Sequence, residues 1–315
     1  LKARGLEPAA PMLARTWTVV HPVAPATRKN PLRRIQRAAA PKRRIQKTQA
    51  RVGTVAIEQA IERHIKKLRA QGRIARDERT AWSVYDFSSG KKLVTINEER
   101  PLQAASLIKP FIAAAYFSKV ERGGLSYKRS SRNKLERMIQ RSDNAATNWA
   151  TRKLGGPRSV ERLLKSHYPG VFRNTYIVEY IPRNGRTYRN KASARDYSRF
   201  LYALWNERFD GAAELKRLMA LPGPDRIKEH AKLLPRSARI FNKTGSTARL
   251  CADMGIVLLT DAKDRQYPYT FIGIIEKSRR AANYTTWLRS RSRVIGEVSD
   301  IVFSGISARY SLSTG

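Results

Sequence analysis

The chain is poor in the residues that build covalent or metal-held frameworks. Cys251 is its only cysteine, which excludes an intramolecular disulfide and a cysteine-based metal cluster. The four histidines, His21, His64, His167 and His230, are scattered, and none falls in an H-E-x-x-H pattern. No metal and no other cofactor is expected. No apolar run reaches the roughly 18 residues that a membrane-spanning helix needs, and the start of the chain has no basic-then-apolar leader pattern. Acidic residues are scarce as well: 25 Asp and Glu face 63 Lys and Arg, a formal charge of +38. A charge of this size attracts polyanions, so nucleic acid, anionic lipid headgroups and acidic wall polymers all qualify as non-specific partners. No RNA- or DNA-reading motif is present, and sequence-specific nucleic-acid binding is not expected.

What remains is a chain of 315 residues, 41% hydrophobic, long enough for one large domain with a substantial core. Residues 1–53 hold 13 Lys or Arg against Glu7 alone. They contain two similar decapeptides, 31–40 and 41–50, and read as a basic, disordered arm. The excess charge of the remaining residues, about +26, then belongs to the folded part.

Order is expected from Thr54, a fair N-cap, through Ile57, Ile61, Ile65 and Leu68 at helical spacing, to Gly72. Residues 81–87 and 92–96, separated by Ser88-Ser89-Gly90, read as a β-hairpin. Residues 105–220 are dominated by helical patterns, at 106–122, 131–140, 144–154 and 194–206. After Pro235 three strands follow, 238–242, 252–260 and 269–276. Cys251 adjoins the second of these, where a small buried hydrophobe is the expected role. A last helix carries Val294, Ile295, Val298, Ile301, Val302 and Ile306 on one face. The order predicts an α+β fold: one antiparallel sheet built from sequence-distant strands, flanked by N- and C-terminal helices, with an all-helical insertion beside it. The expected division is an arm, 1–53, and a domain, 54–315, whose α/β part comprises 54–105 and 236–315 and whose helical part is 106–235. A cleft should lie where those parts meet.

Three short segments carry chemistry. Ser106 and Lys109, three residues apart, share one face at the start of the first central helix. There the hydroxyl lies among unpaired backbone N–H groups, and a lysine buried among Leu, Ile and Phe would be held neutral and able to accept its proton. Alone, a capped helix with an exposed lysine explains the pattern equally well. Ser142-Asp143-Asn144 lies between two helical patterns, where Ser142 can shuttle a proton and Asn144 can bind an amide; an ordinary N-cap fits it too. Lys243-Thr244-Gly245-Ser246 on a strand edge offers a cation and a hydroxyl to a carboxylate, and glycine permits close backbone approach. The Ser246 N–H would face that of Ser106 as a second oxyanion donor.

In this order, on helix start, interhelical loop and strand, the three resemble the S-x-x-K, S-D-N and K-T-G signatures of class A β-lactamases and related penicillin-binding proteins. The resemblance extends over about residues 54–310. It implies an acyl-enzyme on Ser106 activated by Lys109, with Ser142 protonating the leaving nitrogen. Asn144 would bind the acyl-side amide, and Lys243 with Thr244 the substrate carboxylate. A β-lactam or a D-Ala-D-Ala peptide is the implied substrate, and a periplasmic or secreted location follows from the likeness.

Two departures stand out. Only 36 positions separate Ser106 from Ser142, fewer than in class A enzymes, so one wall of the cleft is expected to be abbreviated. The Glu-x-x-Leu-Asn string that marks the deacylating glutamate is missing. Its candidate substitute is Glu179, 37 positions after Ser142, with Arg183 where the family has Asn and Asn184 one place later. Glu179 equally suits a surface pair with Arg183, Arg186 or Arg189. A basic binding module without turnover on the same fold is the non-enzymatic alternative.

Overall fold

The computed structural model describes residues 42–182 and 189–312, with side chains from residue 56 onward. The first helix, α1 (Lys42–Ala70), begins well before Thr54. Part of the expected arm is therefore helical, since its Arg, Lys, Gln and Ala are good helix formers and one glycine is tolerated. The arm up to residue 41 lies outside the described residues. Ile57, Ile61, Ile65 and Leu68 are all buried, as their spacing predicts.

The hairpin follows as β1 (Glu78–Asp86) and β2 (Lys91–Val94). Its turn is closed by Asp86, whose carboxylate accepts from Ser88 N at 3.0 Å and Ser89 Oγ at 2.6 Å, and by Gly90 at φ +65°. A two-residue strand, β3 (Leu102–Gln103), leads to a 3₁₀ turn at Ala105–Ile108. The helical block comprises α2 (Lys109–Glu121), α3 (Arg129–Gln140), α4 (Asn144–Lys153), α5 (Pro157–His167), α6 (Ala194–Trp205) and α7 (Ala212–Met219). Two of these, α5 and α7, went unread in the sequence because Gly and Pro punctuate them closely. Another short strand, β4 (Lys191–Ala192), pairs with β3 ahead of α6.

The chain closes with β5 (Arg239–Thr247), β6 (Leu250–Thr260), β7 (Gln266–Lys277) and α8 (Tyr284–Tyr310). The five-stranded antiparallel sheet has the order β2-β1-β7-β6-β5, so the N-terminal hairpin joins the C-terminal strands through β1 and β7. One core packs α1 and α8 on one face of the sheet; the other packs the helical block. Burial on both faces explains why β6 is apolar nearly throughout rather than alternating. Cys251 lies in β6, fully buried, and burial raises its thiol pKa. The α+β architecture is the one the element order predicts.

Candidate active site

Ser106 lies in the 3₁₀ turn, one step short of α2, rather than in the expected continuous helix. Ala105 ahead of it has φ +41°, a left-handed conformation that non-glycine residues rarely adopt and that concentrates at functional sites. The surrounding structure holds it there. Ala104 N donates to Asn190 O at 2.9 Å, and Gln103 N donates to the buried Glu276 Oε1 at 3.0 Å. A Cβ on Gly245 would lie 2.9 Å from Leu107 Cγ and 3.3 Å from Ala104 O. The glycine of the third segment thus admits the turn that carries Ser106.

Lys109 is fully buried as the first residue of α2. Its Nζ donates to Ser142 O, to Asn144 Oδ1 at 2.9 Å, and lies 3.1 Å from Ser142 Oγ. Burial, reinforced by the charge of Lys243 and opposed by Asp143, brings its pKa down to about 6. Above that pH a neutral amine satisfies two acceptors with its two N–H bonds and keeps a lone pair. The sequence pairs Lys109 with Ser106; the structure adds Ser142 and Asn144 as hydrogen-bond partners of the amine.

The capping reading of the second segment holds as well, but on the middle residue. Asp143 is the N-cap of α4, its Oδ1 accepting from Ala146 N at 2.9 Å. Asp143 turns toward the helix and Arg137, while its two neighbours meet Lys109. Ser142 has φ +55°, a second strained residue in the same site.

Lys243, Thr244 and Gly245 lie buried in β5, the edge strand, and Ser246 is half-buried. Burial takes the Lys243 pKa down to about 8, with Asp253 raising it and Arg226 lowering it. Lys243 Nζ donates to Thr244 O at 2.9 Å. Behind it, Asn242 Nδ2 donates to both oxygens of Asp253 at 3.0 Å, and Arg226 N donates to Oδ2 at 2.7 Å. The structure therefore brings two buried lysines beneath half-buried Ser106, Ser142, Asn144 and Ser246.

Glu179 sits in the segment between α5 and β4. Asn190 Oδ1 accepts from Val178 N at 2.8 Å and from Glu179 N at 3.1 Å, while Asn190 Nδ2 donates to Glu179 O. On the other side Asn148 of α4 exchanges hydrogen bonds with Ile181 N and O, at 2.9 and 2.7 Å. Glu179 Oε1 accepts from the main-chain N–H of Arg189 at 2.9 Å. Arg183 and Arg186 lie outside the described residues. Sequence reasoning missed both asparagines. Asn148 follows Asn144 by four residues and so shares its helix face, a legible signal; Asn190 had none.

Comparison with solved structures gives the same fold at low sequence identity. A penicillin-G acyl-enzyme complex of a PBP-A point mutant shares 20% identity, with a TM-score of 0.64 over 81% of this chain and 97% of that one. TLA-1 extended-spectrum β-lactamase shares 17%, with a TM-score of 0.66 over 81% and 99%. The last common ancestor of Gram-negative bacteria class A β-lactamase, GNCA4, shares 19%, with a TM-score of 0.62 over 79% and 98%. No curated protein matches the chain. The profile of the β-lactamase enzyme family matches residues 60–132 and 128–271. With that match over most of its length and the same fold around Ser106, the chain belongs to the β-lactamase enzyme family.

Proposed function

We propose that this protein is a serine hydrolase of the class A β-lactamase type, which opens β-lactam rings through an acyl-enzyme on Ser106. The observation that carries this reading is Lys109: fully buried, held by Ser142 and Asn144, with its pKa down to about 6. At neutral pH its lone pair takes the Ser106 proton as Oγ attacks the ring carbonyl. The N–H groups of Ser106 and Ser246 receive the developing oxyanion; β5 is a sheet edge, so it has backbone donors left over from pairing. The proton passes through Ser142, 3.1 Å from Lys109 Nζ, to the departing nitrogen as the C–N bond breaks. Lys243 and Thr244 hold the substrate carboxylate, and Asn144 binds the acyl-side amide. Water then releases the acyl group with Glu179 as base.

A second reading rests on Glu179. Its Oε1 is bonded to Arg189 N in its own loop, which favours slow deacylation and hence a D,D-carboxypeptidase or transpeptidase acting on D-Ala-D-Ala peptides. Either enzyme works in the periplasm or outside the cell, where a strongly basic surface would draw it to anionic wall polymers.

A chromogenic cephalosporin separates these readings. Steady turnover that vanishes in Ser106→Ala and falls at least about a hundredfold in Glu179→Gln is expected for the β-lactamase. Stoichiometric labelling of Ser106 without turnover transfers the assignment to the peptidase. Neither labelling nor turnover would leave only a binding module on this fold.

A further inference from the structure

A cavity of about 670 Å³ opens between the β1–β2 hairpin, α6 and the loop at 168–171. It shares no lining residue with the Ser106 site. Its volume is that of a pocket for a small organic molecule, about 300–1,000 Å³. The wall carries four cations, Lys92, Arg195, Arg199 and Arg208, against one carboxylate, Glu98.

Those cations are incompletely neutralised. Glu98 is buried and shared: its Oε2 accepts from Ser83 Oγ and meets Lys92 Nζ, both at 2.8 Å, while its Oε1 lies 4.0 Å from Arg195 Nε. Arg195 also pairs with the exposed Glu99. Arg199 reaches Asp196 at 3.2 Å, but that carboxylate also accepts from Asn174 N and Thr175 Oγ1. Among the described residues no carboxylate pairs with Arg208, whose guanidinium lies 5.2 Å from the centroid of the Tyr202 ring. Burial, Arg195 and Arg173 all lower the pKa of Arg199, as uncompensated positive charge requires.

Beside the cations stands an aromatic wall. Tyr85 meets Tyr202 edge to face at 5.2 Å, and Tyr168 meets Phe209 in the same way at 4.5 Å. Flat rings next to three forked guanidinium groups match a ligand with a planar body and a phosphate head, since arginine binds phosphate oxygens bidentately and stacks on rings. We propose that this cavity is a second binding site, for a phosphate monoester carrying an aromatic ring. The site is independent of acylation at Ser106.

Calorimetric titration with phenyl phosphate tests it, at about 0.15 M salt so that long-range attraction to the basic surface is screened. One saturable site is expected, with affinity reduced about tenfold or more in Arg208→Glu, an exposed position, and in Val171→Trp, which fills the cavity. Binding should be unchanged in Ser106→Ala, which keeps this result separate from the fate of the hydrolase reading. Absence of a saturable site, equal affinity for inorganic phosphate or benzoate, or equal affinity in both cavity variants would overturn the proposal.

Discussion

The charge of Lys243 helps to depress Lys109, yet the proposed chemistry asks for opposite charge states. Lys109 acts as a base only when neutral, above about pH 6, and Lys243 holds a carboxylate only when charged, below about pH 8. The pH profile of kcat/KM is therefore expected to be a bell, its acid limb near 6 from Lys109 and its alkaline limb near 8 from Lys243. A profile flat across that range would show that neither amine titrates in the reaction. Gly245 offers a separate check. Because a methyl group there meets Leu107 and Ala104 O, Gly245→Ala is expected to slow acylation of Ser106 by about ten- to a hundredfold. Its melting temperature should fall by a few degrees as well, because Leu107 and Ala104 are fully buried in the core and the turn can shift only by repacking them.

At the level of elements, the sheet and its C-terminal helix are locked by one buried cluster. Glu78 on β1 accepts from Arg291 Nε and Nη2 on α8 at 2.8 and 2.7 Å, from Trp287 Nε1, and from Ala75 N at 2.7 Å. Burial alone would push the Glu78 carboxyl up; Arg291 and the other donors outweigh it and hold the pKa below the usual glutamate range. This cluster thus stabilises the fold above the ordinary glutamate pKa and loses that contribution as pH falls through the depressed value. Glu78→Ala strands a buried guanidinium and is expected to cost about 3–5 kcal/mol, read as a lower denaturation midpoint. Glu78→Met with Arg291→Met, an apolar pair of similar length, should recover most of that loss. The helix–helix contact is equally tight: a Cβ on Gly305 of α8 would come within 2.3 Å of Ile57 Cγ1 on α1. Such a crossing is invisible in either helix's own periodicity.

For the molecule as a whole, charge dominates. Residues 1–41 hold 8 Lys or Arg and one acid, so a chain without them keeps a formal charge of +31. Retention on an anionic polymer is therefore expected to survive removal of residues 1–41 and to fall steeply with salt in both forms. Elution of the shortened chain at low salt, with the full chain retained, would instead place the binding in the arm. The cavity beside α6 belongs to this scale too. Its cations come from β2, α6 and the segment after it, three stretches that no local pattern connects.

The sequence by itself determined the order of elements, the mixed α+β class and the three segments to which the proposed chemistry is assigned. Helical and strand periodicities are local, and so are S-x-x-K, S-D-N and K-T-G. It also showed the helix faces: Ile57, Ile61 and Val298 are buried where their spacing put them. Tertiary structure alone decided which groups each of those residues meets. Lys109 bonds to residues 33 and 35 positions away, Asp143 rather than its neighbours caps α4, and Gly245 makes room for the Ser106 turn. The partners of Glu179, Asn190 and the main-chain N–H of Arg189, depend on a loop path that composition does not encode. The physical reason is range. Propensity and amphipathic pattern act over one or two turns, whereas a buried amine or carboxylate is satisfied by whichever distant group the packed sheet and helices deliver to it.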